Sequence, residues 1–564
     1  MFDKLKKLFK SNEDLPWFKY YGRMPKKLEY FEGSLYEYME NTAIKYPNYC
    51  ALEFFNKKMN YKTLLEEIDG VALSLLDDGV RENDIVTICM ANCPEAVIAF
   101  YAINKIGAIS NIIHPLSSEN EIKNFIENTN SNVVFVSDIL YDTMIKICKD
   151  LKIKSVVVCT ISNKMDTVHK FLYNVFKAPK LNDFPENFIL YNDYINISLD
   201  TCETVHRNYY DDAVILYSGG TTGTPKGVVL SNLCFNSIPL QYSHVIEAHP
   251  GDSILSYLPI FHGFGLCVSI HTPLTYGMRC VLDPKIDVKK INSILKNKKI
   301  NFLPVIPALL NVMIKDKTLS KTAFKNLRYI VSGGDFLSLE LKQSAEKFVN
   351  SHGSSAKIIV GYGLTEAMAA VCASIEPNYK KKSVGVPLPD VRYKVVKNDT
   401  HIPCEKNEVG EICLSAPSLM TRYYKNEEET FKILQMHDDG ILWLHTGDLG
   451  YVGDDDVLYF ETRKKRVIIS NGFNIYPNYI EEVLNKHPYV ETSIVVGQKD
   501  KSRAQVAKAV IVLKDDVMES EKVKDEIKDY LKDNISKYAV PKIYEFTKEL
   551  PKTKVGKVDF KALE

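Results

Sequence analysis

Short apolar, β-branched runs alternate along the chain with longer stretches of helical spacing. The runs fall at 85–88, 133–136, 156–158, 213–216, 329–331 and 358–360. A run apolar at every position, rather than at alternate ones, suits a parallel strand covered on both faces. Residues 94–105 and 338–349 carry the helical pattern between such runs, so the spacing predicts βα units. The fold class that follows is α/β, with layered sheets and helices. No repeat of fixed period is visible. Residues 253–278 contain no Asp, Glu, Lys or Arg. They also hold Pro259, Pro273, Gly263, Gly265, Gly277, His262 and His271, a poor load for a lipid-exposed helix. The segment reads as buried core lining a cavity, and no transmembrane span is expected.

The pattern changes near residue 462. After the basic run Arg463-Lys464-Lys465-Arg466 comes a tighter β/α order. It has a helix over 479–486, a strand over 507–513 and a charged helix over 519–531. The expected division is a large domain, 1–462, and a small α+β domain, 463–564. At the other end, MFDKLKKLFK has no apolar core of a signal peptide. Phe2, Leu5, Leu8 and Phe9 would share a helical face, with lysines elsewhere. Residues 1–10 therefore suit either peripheral contact with an anionic membrane or docking on their own domain.

Composition narrows the partners. The 564 residues are 45% hydrophobic and 25% charged, which excludes a long disordered chain. Lys+Arg and Asp+Glu both number 71, so net charge gives no reason to expect nucleic acid. The 12 cysteines include no CxxC pair, and the nearest couple is Cys89 and Cys93. Paired-cysteine zinc is unsupported, and the thiols read as reduced in a cytoplasmic protein.

The most informative segment runs Tyr217-Ser218-Gly219-Gly220-Thr221-Thr222-Gly223-Thr224-Pro225-Lys226-Gly227. It follows a buried strand. Consecutive small residues let backbone N–H groups converge on phosphate oxygens. Ser218, Thr221, Thr222 and Thr224 add hydroxyls, and Lys226 adds a point charge. It is not a P-loop, since Lys226 follows proline and precedes Gly227 rather than Ser or Thr.

This loop resembles the phosphate loop of the acyl-adenylate-forming superfamily, in the form nearest to fatty acyl-CoA synthetases. Six further segments resemble that family's motifs in order. They are Leu258-Pro259-Ile260-Phe261-His262-Gly263-Phe264-Gly265, Ser332-Gly333-Gly334-Asp335 and Gly361-Tyr362-Gly363-Leu364-Thr365-Glu366. Next come His445-Thr446-Gly447-Asp448-Leu449-Gly450 and the stretch from Arg463 to Pro477. The last is Pro551-Lys552-Thr553-Lys554-Val555-Gly556-Lys557. Thr462 stands where the family more often has Gly or Asp.

The resemblance implies two half-reactions: a carboxylate and ATP give acyl-AMP, and a thiol then displaces AMP. It implies Glu366 as Mg2+ ligand and Thr365 on the α-phosphate. Nucleotide contacts would come from Ser218, Gly219, Gly220, Thr221, Thr222, Gly223, Lys226, Gly334, Asp335, Tyr362, Asp448 and Arg463. Lys557 would bridge the carboxylate and α-phosphate. His262 would stand between acyl pocket and thiol tunnel; as a histidine it disfavours an amino-acid substrate. Gly263, Gly363, Met368, Ala369 and Ala370 would line the acyl pocket. Lys465 would be a hinge, and Ser470, Asn471, Gly472 and Phe473 the CoA-side loop. The expected substrates are a hydrophobic acid (a medium or long fatty acid), ATP and CoA. An acyl carrier protein as acceptor, and a nucleotide-binding regulator without catalysis, remain as alternatives.

Overall fold

The computed structural model describes residues 14–181, 184–195, 201–218, 225–284, 287–375, 380, 382–470, 473–500, 504–537, 539–553 and 558–564. By internal contacts the chain divides into two units, 1–392 with 415–444 and 393–414 with 445–564. The boundary expected at 462/463 falls inside the second unit. The reason is strand pairing: Leu458–Arg463 runs antiparallel to Leu442–Val452, with Asp448 opposite Arg463.

The first unit contains two parallel sheets. In one, Cys50–Phe54, Arg279–Leu282, Ser253–Ser256, Phe302–Val305, Tyr329–Ser332 and Lys357–Tyr362 lie side by side in that order, all parallel. In the other, the parallel order is Phe188–Leu190, Ser155–Cys159, Val133–Ser137, Ile85–Cys89, Ile109–Ile112 and Asp212–Ser218. Antiparallel Lys226–Ser231 and Arg422–Tyr423 extend it. All six apolar runs are strands, most of them buried along their length, as uninterrupted apolar sequence requires.

The helix expected over 94–105 spans Pro94–Lys105, and every residue in it is buried. Its Lys105 is tolerated there because Asp69 lies 2.6 Å away and the Tyr36 hydroxyl 2.9 Å. The helix expected over 338–349 runs Leu339–Ser351, with the Ser338 hydroxyl capping Leu341 N at 3.1 Å. The uncharged segment 253–278 holds a strand, a π-helical stretch Phe264–His271 and a short helix Thr272–Thr275, largely buried. Among the described residues, no helix is long and apolar enough to cross a membrane.

In the second unit, strands Arg392–Val396, Gly410–Ser415, Leu442–Val452 and Leu458–Arg463 follow one another across a sheet. A five-stranded sheet with helices Pro477–Leu484 and Glu521–Asn534 completes it, around Ile468, Ile480, Val495, Ile511, Ile527 and Leu531. Two expected edges move for local reasons. Pro477 occupies the first helical turn, where its missing N–H costs nothing, so that helix begins two residues early. Ser520 caps Val523 N at 3.2 Å, so the last helix cannot begin at 519.

Candidate active site

Three parallel strands of the first unit deliver candidate residues beyond their C-terminal ends, where open α/β sheets bind ligands. Ser253–Ser256 leads to His262, Tyr329–Ser332 to Gly334 and Asp335, and Lys357–Tyr362 to Thr365 and Glu366. Gly334 has φ +82°, a left-handed backbone that glycine adopts without strain. Asp335 is exposed, and one of its oxygens accepts from Phe336 N at 2.8 Å. His262 Nδ1 accepts from Phe264 N at 3.2 Å. The neutral ring therefore carries its proton on Nε2.

The turn after Tyr362 is unusual. Met368 (φ 46°) and Ala369 (φ 73°) are consecutive non-glycine residues in the left-handed region. Such conformations cost about 1–3 kcal/mol each and persist only where packing over-determines them. Here the packing is visible. A Cβ on Gly363 would lie 1.6 Å from the Ala369 carbonyl oxygen, so only glycine lets the chain fold back. A Cβ on Gly263 would meet Met368 Cε at 3.0 Å and Ala369 N at 3.5 Å. Ala370 N bonds Met368 O at 3.1 Å. The structure thus gathers Gly263, Gly363, Met368, Ala369 and Ala370 around one strained turn, next to Glu366.

The glycine loop connects two antiparallel strands, and Ser218 faces Lys226 directly across them. Gly219, Gly220, Thr221, Thr222 and Gly223 lie outside the described residues. Lys226 is ion-paired with Glu429, and its ammonium lies 4.9 Å from the centre of the Tyr423 ring. Lys226 and Lys432 together hold the Glu429 carboxyl down at about 2. The Tyr423 hydroxyl donates to Glu366 Oε1 at 2.8 Å. Burial, then the charge of Glu366, pushes the Tyr423 phenol far up, so it stays a donor at any working pH. One chain of contacts therefore runs Glu429–Lys226–Tyr423–Glu366, from the glycine-loop lysine to the expected metal ligand. The sequence reading missed Tyr423 and Glu429. Asn426 caps Glu429 N at 3.1 Å and acids fill the next turn, so the segment reads as an ordinary helix start.

The second unit places the ribose candidate. Asp448 is buried, and Arg463 Nε lies 2.8 Å from its Oδ1. The turn before it is tied down: Thr446 Oγ1 donates to Ile412 O at 2.7 Å, and Asp448 N donates to Thr446 Oγ1 at 3.1 Å. Glu411, also missed from sequence, accepts from Gly447 N at 3.1 Å and lies 3.3 Å from Lys464. Burial raises the Glu411 carboxyl, but the bond with His445 and the Lys464 charge outweigh it and bring it below the usual range. Lys465 sits in the 3-10 turn Lys464–Arg466 between two strands. Its neighbour Arg466 is structural: it pairs with Glu481 at 2.5 Å and stacks 4.0 Å from the Phe560 ring. Ser470 is buried at a strand end. Phe473 begins the next strand, while Asn471 and Gly472 lie outside the described residues. Lys557 does too; its flanks, Lys552 and Val558, form an antiparallel bridge.

A hairpin loop rich in glycine and hydroxyls, and a carboxylate beyond a parallel strand, define a nucleotide-handling enzyme of the adenylate-forming kind. The chain belongs to the AMP-binding enzyme family: that family matches residues 39–424, and the AMP-binding enzyme C-terminal domain matches residues 479–557. A long-chain-fatty-acid–CoA ligase of Bacillus subtilis (strain 168) is 29% identical over 553 residues, 96% of each chain. 4-Coumarate–CoA ligase 1 of Arabidopsis thaliana is 28% identical over 493 residues, 85% of this chain and 82% of that one. Among solved structures, a benzoate CoA ligase from Burkholderia xenovorans LB400 superposes with TM-score 0.80 at 19% identity, over 94% of this chain and 99% of that one.

Proposed function

We propose that this protein is an AMP-forming acid–CoA ligase for a hydrophobic carboxylic acid. The observation that carries the reading is the Gly263–Gly363–Met368–Ala369 turn beside Glu366, small apolar groups adjoining a carboxylate that is wired to Lys226. In the first half-reaction a carboxylate oxygen attacks the α-phosphorus of ATP. The bond to the β-phosphate oxygen breaks, and pyrophosphate leaves. In the second, the CoA sulfur attacks the acyl carbonyl, the carbonyl–AMP bond breaks, AMP leaves and the thiol proton passes to solvent.

The first step brings two anions together, so this chain's part is positioning and charge compensation. Thr365 and the hydroxyls of the 218–224 loop hold phosphate oxygens, and Lys226 faces them as a cation. Tyr362 presents a flat face to adenine beside Gly334 and Asp335. Asp448, paired with Arg463, accepts from the ribose hydroxyls. Lys557 spans the acid and the α-phosphate, and His262 divides acid from thiol. Ser470 to Phe473 form the CoA-side loop, which Lys465, as hinge, brings into use for the second step.

Glu366 fits Mg2+: it is a half-buried carboxylate at the strand end with Oε1 oriented by Tyr423, and magnesium takes one or two protein carboxylates with phosphates and waters. When bound, the ion neutralises phosphate charge. A long apolar acid is in keeping with the fatty-acid relative. The test is incubation with ATP, Mg2+, CoA and a medium- or long-chain fatty acid. Acyl-CoA, AMP and pyrophosphate should form in equal amounts. Formation of ADP, or of no thioester with CoA, would contradict the proposal.

A further inference from the structure

Helix Thr167–Phe176 is mounted the opposite way round from an ordinary surface helix. It contains no buried residue. Its attachments to the body are mainly polar. Asp166, at the N-cap, bonds His169 N at 2.9 Å and Asn56 Nδ2 at 2.9 Å. The Tyr173 hydroxyl donates to the Asp138 carboxylate at 3.2 Å, and Asn174 accepts from the buried Ser162 hydroxyl at 2.8 Å. The His169 ring packs 5.3 Å from that of Phe55.

The apolar stripe points to solvent. Val168, Phe171, Leu172 and Val175 follow the i, i+3, i+4, i+7 spacing that would normally face a core. They are 66%, 67%, 46% and 56% exposed, and the adjoining Phe176 is 75% exposed. Single exposed apolar residues need no explanation, but a contiguous patch marks an interaction surface.

Charge selects the occupant. Residues 167–181 include Lys170, Lys177 and Lys180 and no acid. Among the described residues, none of these three lysines forms an ion pair. Phenylalanine, leucine and valine flanked by unpaired lysines suit the boundary between acyl chains and anionic head groups. A second copy of this chain would bring the same lysines and meet its like charge. A helix lying with one apolar face in that boundary makes the contact peripheral.

We propose that helix Thr167–Phe176 is a docking surface for an anionic lipid bilayer. The inference does not depend on which acid the enzyme activates, nor on residues 1–10. The experiment is flotation of the full chain with phosphatidylcholine vesicles, with and without phosphatidylglycerol. It compares the parent with Phe171→Glu/Phe176→Glu and with Lys170→Gln/Lys177→Gln. All four positions are exposed, and adenylation of a water-soluble acid should be unchanged in both variants. The parent should float with phosphatidylglycerol vesicles, less so as salt rises. The glutamate pair should lower partitioning by roughly tenfold or more, and the glutamine pair by a few-fold with a flatter salt dependence. A parent that does not float would overturn the proposal. So would a glutamate variant that floats like the parent, which would place the contact elsewhere. A parent dimer that the glutamates dissociate, without vesicle binding, would make the face a self-association surface instead.

Discussion

Tyr423→Phe removes one oxygen and leaves the ring. In the parent, that hydroxyl donates to Glu366 Oε1 at 2.8 Å, and its raised phenol keeps the donor present throughout the working range. A hydrogen bond to a charged group contributes about 1.5–3 kcal/mol when fully buried. Glu366 is only half-buried, so water takes over part of the role, and about 1 kcal/mol is the reasonable loss. That corresponds to roughly fivefold in kcat/KM for adenylation. The ring still lies 4.9 Å from Lys226, so the Lys226–Glu429 pair should be kept. Tyr423→Ala would remove the ring as well, adding about 0.5–1 kcal/mol of cation–π attraction and a cavity cost of roughly 3 kcal/mol. The assay is ATP–pyrophosphate exchange at saturating acid, with thermal unfolding measured in parallel. The phenylalanine variant should lose a few-fold in rate with little change in Tm, whereas the alanine variant should lose both. Parent-like exchange in Tyr423→Phe would refute the proposed wiring of Glu366.

Glu366→Gln keeps the shape and removes the charge, so exchange should fall by roughly a hundredfold or more, most steeply at low Mg2+; near-parent exchange at low Mg2+ would count against the assignment. Lys557→Ala should lose acyl-AMP formation yet convert supplied acyl-AMP to thioester, while Lys465→Pro should do the reverse; rapid-quench assays of each half-reaction check this, and equal slowing of both steps in each variant speaks against alternating roles. His271 is fully buried, with Nε2 donating to Asn236 Oδ1 at 3.0 Å and Nδ1 accepting from the Tyr101 hydroxyl at 3.0 Å. Burial brings it down to about 3, so between about 6.5 and 3 the unfolded chain binds a proton the folded one does not. Stability must fall with pH through that window by up to about 1.4 kcal/mol per unit from this group. His271→Gln should flatten the decline in a series of denaturant titrations, and an unchanged slope would contradict it.

Much of the fold was legible because uninterrupted apolar runs have few alternatives to buried parallel strands. The limits of 94–105 follow from proline at the start and a closing lysine. Boundaries shifted where a single cap decided them, as at Ser520 and Pro477. The 462/463 division follows a composition change, which carries no sign that Leu458–Arg463 is paired back to Leu442–Val452. At the site, the sequence singles out its motif residues as candidates because glycine and lone charges in loops are chemically conspicuous. Tyr423, Glu429 and Glu411 are not. Each acts on a residue distant in sequence, through a contact that only strand order creates. Nor does spacing distinguish a helix seated on its apolar face from Thr167–Phe176, which is seated on its polar one.

As proposed, the chain activates a hydrophobic acid as its adenylate. The most direct measurement is acid-dependent ATP–pyrophosphate exchange, run with straight-chain acids from acetate upward under fixed ATP and Mg2+. Each CH2 of the acid buried in an apolar pocket should add roughly 0.8 kcal/mol of binding. kcat/KM should rise several-fold with each added CH2 over the shorter acids and then level off. Exchange that is absent with every acid, or fastest with acetate, would contradict it.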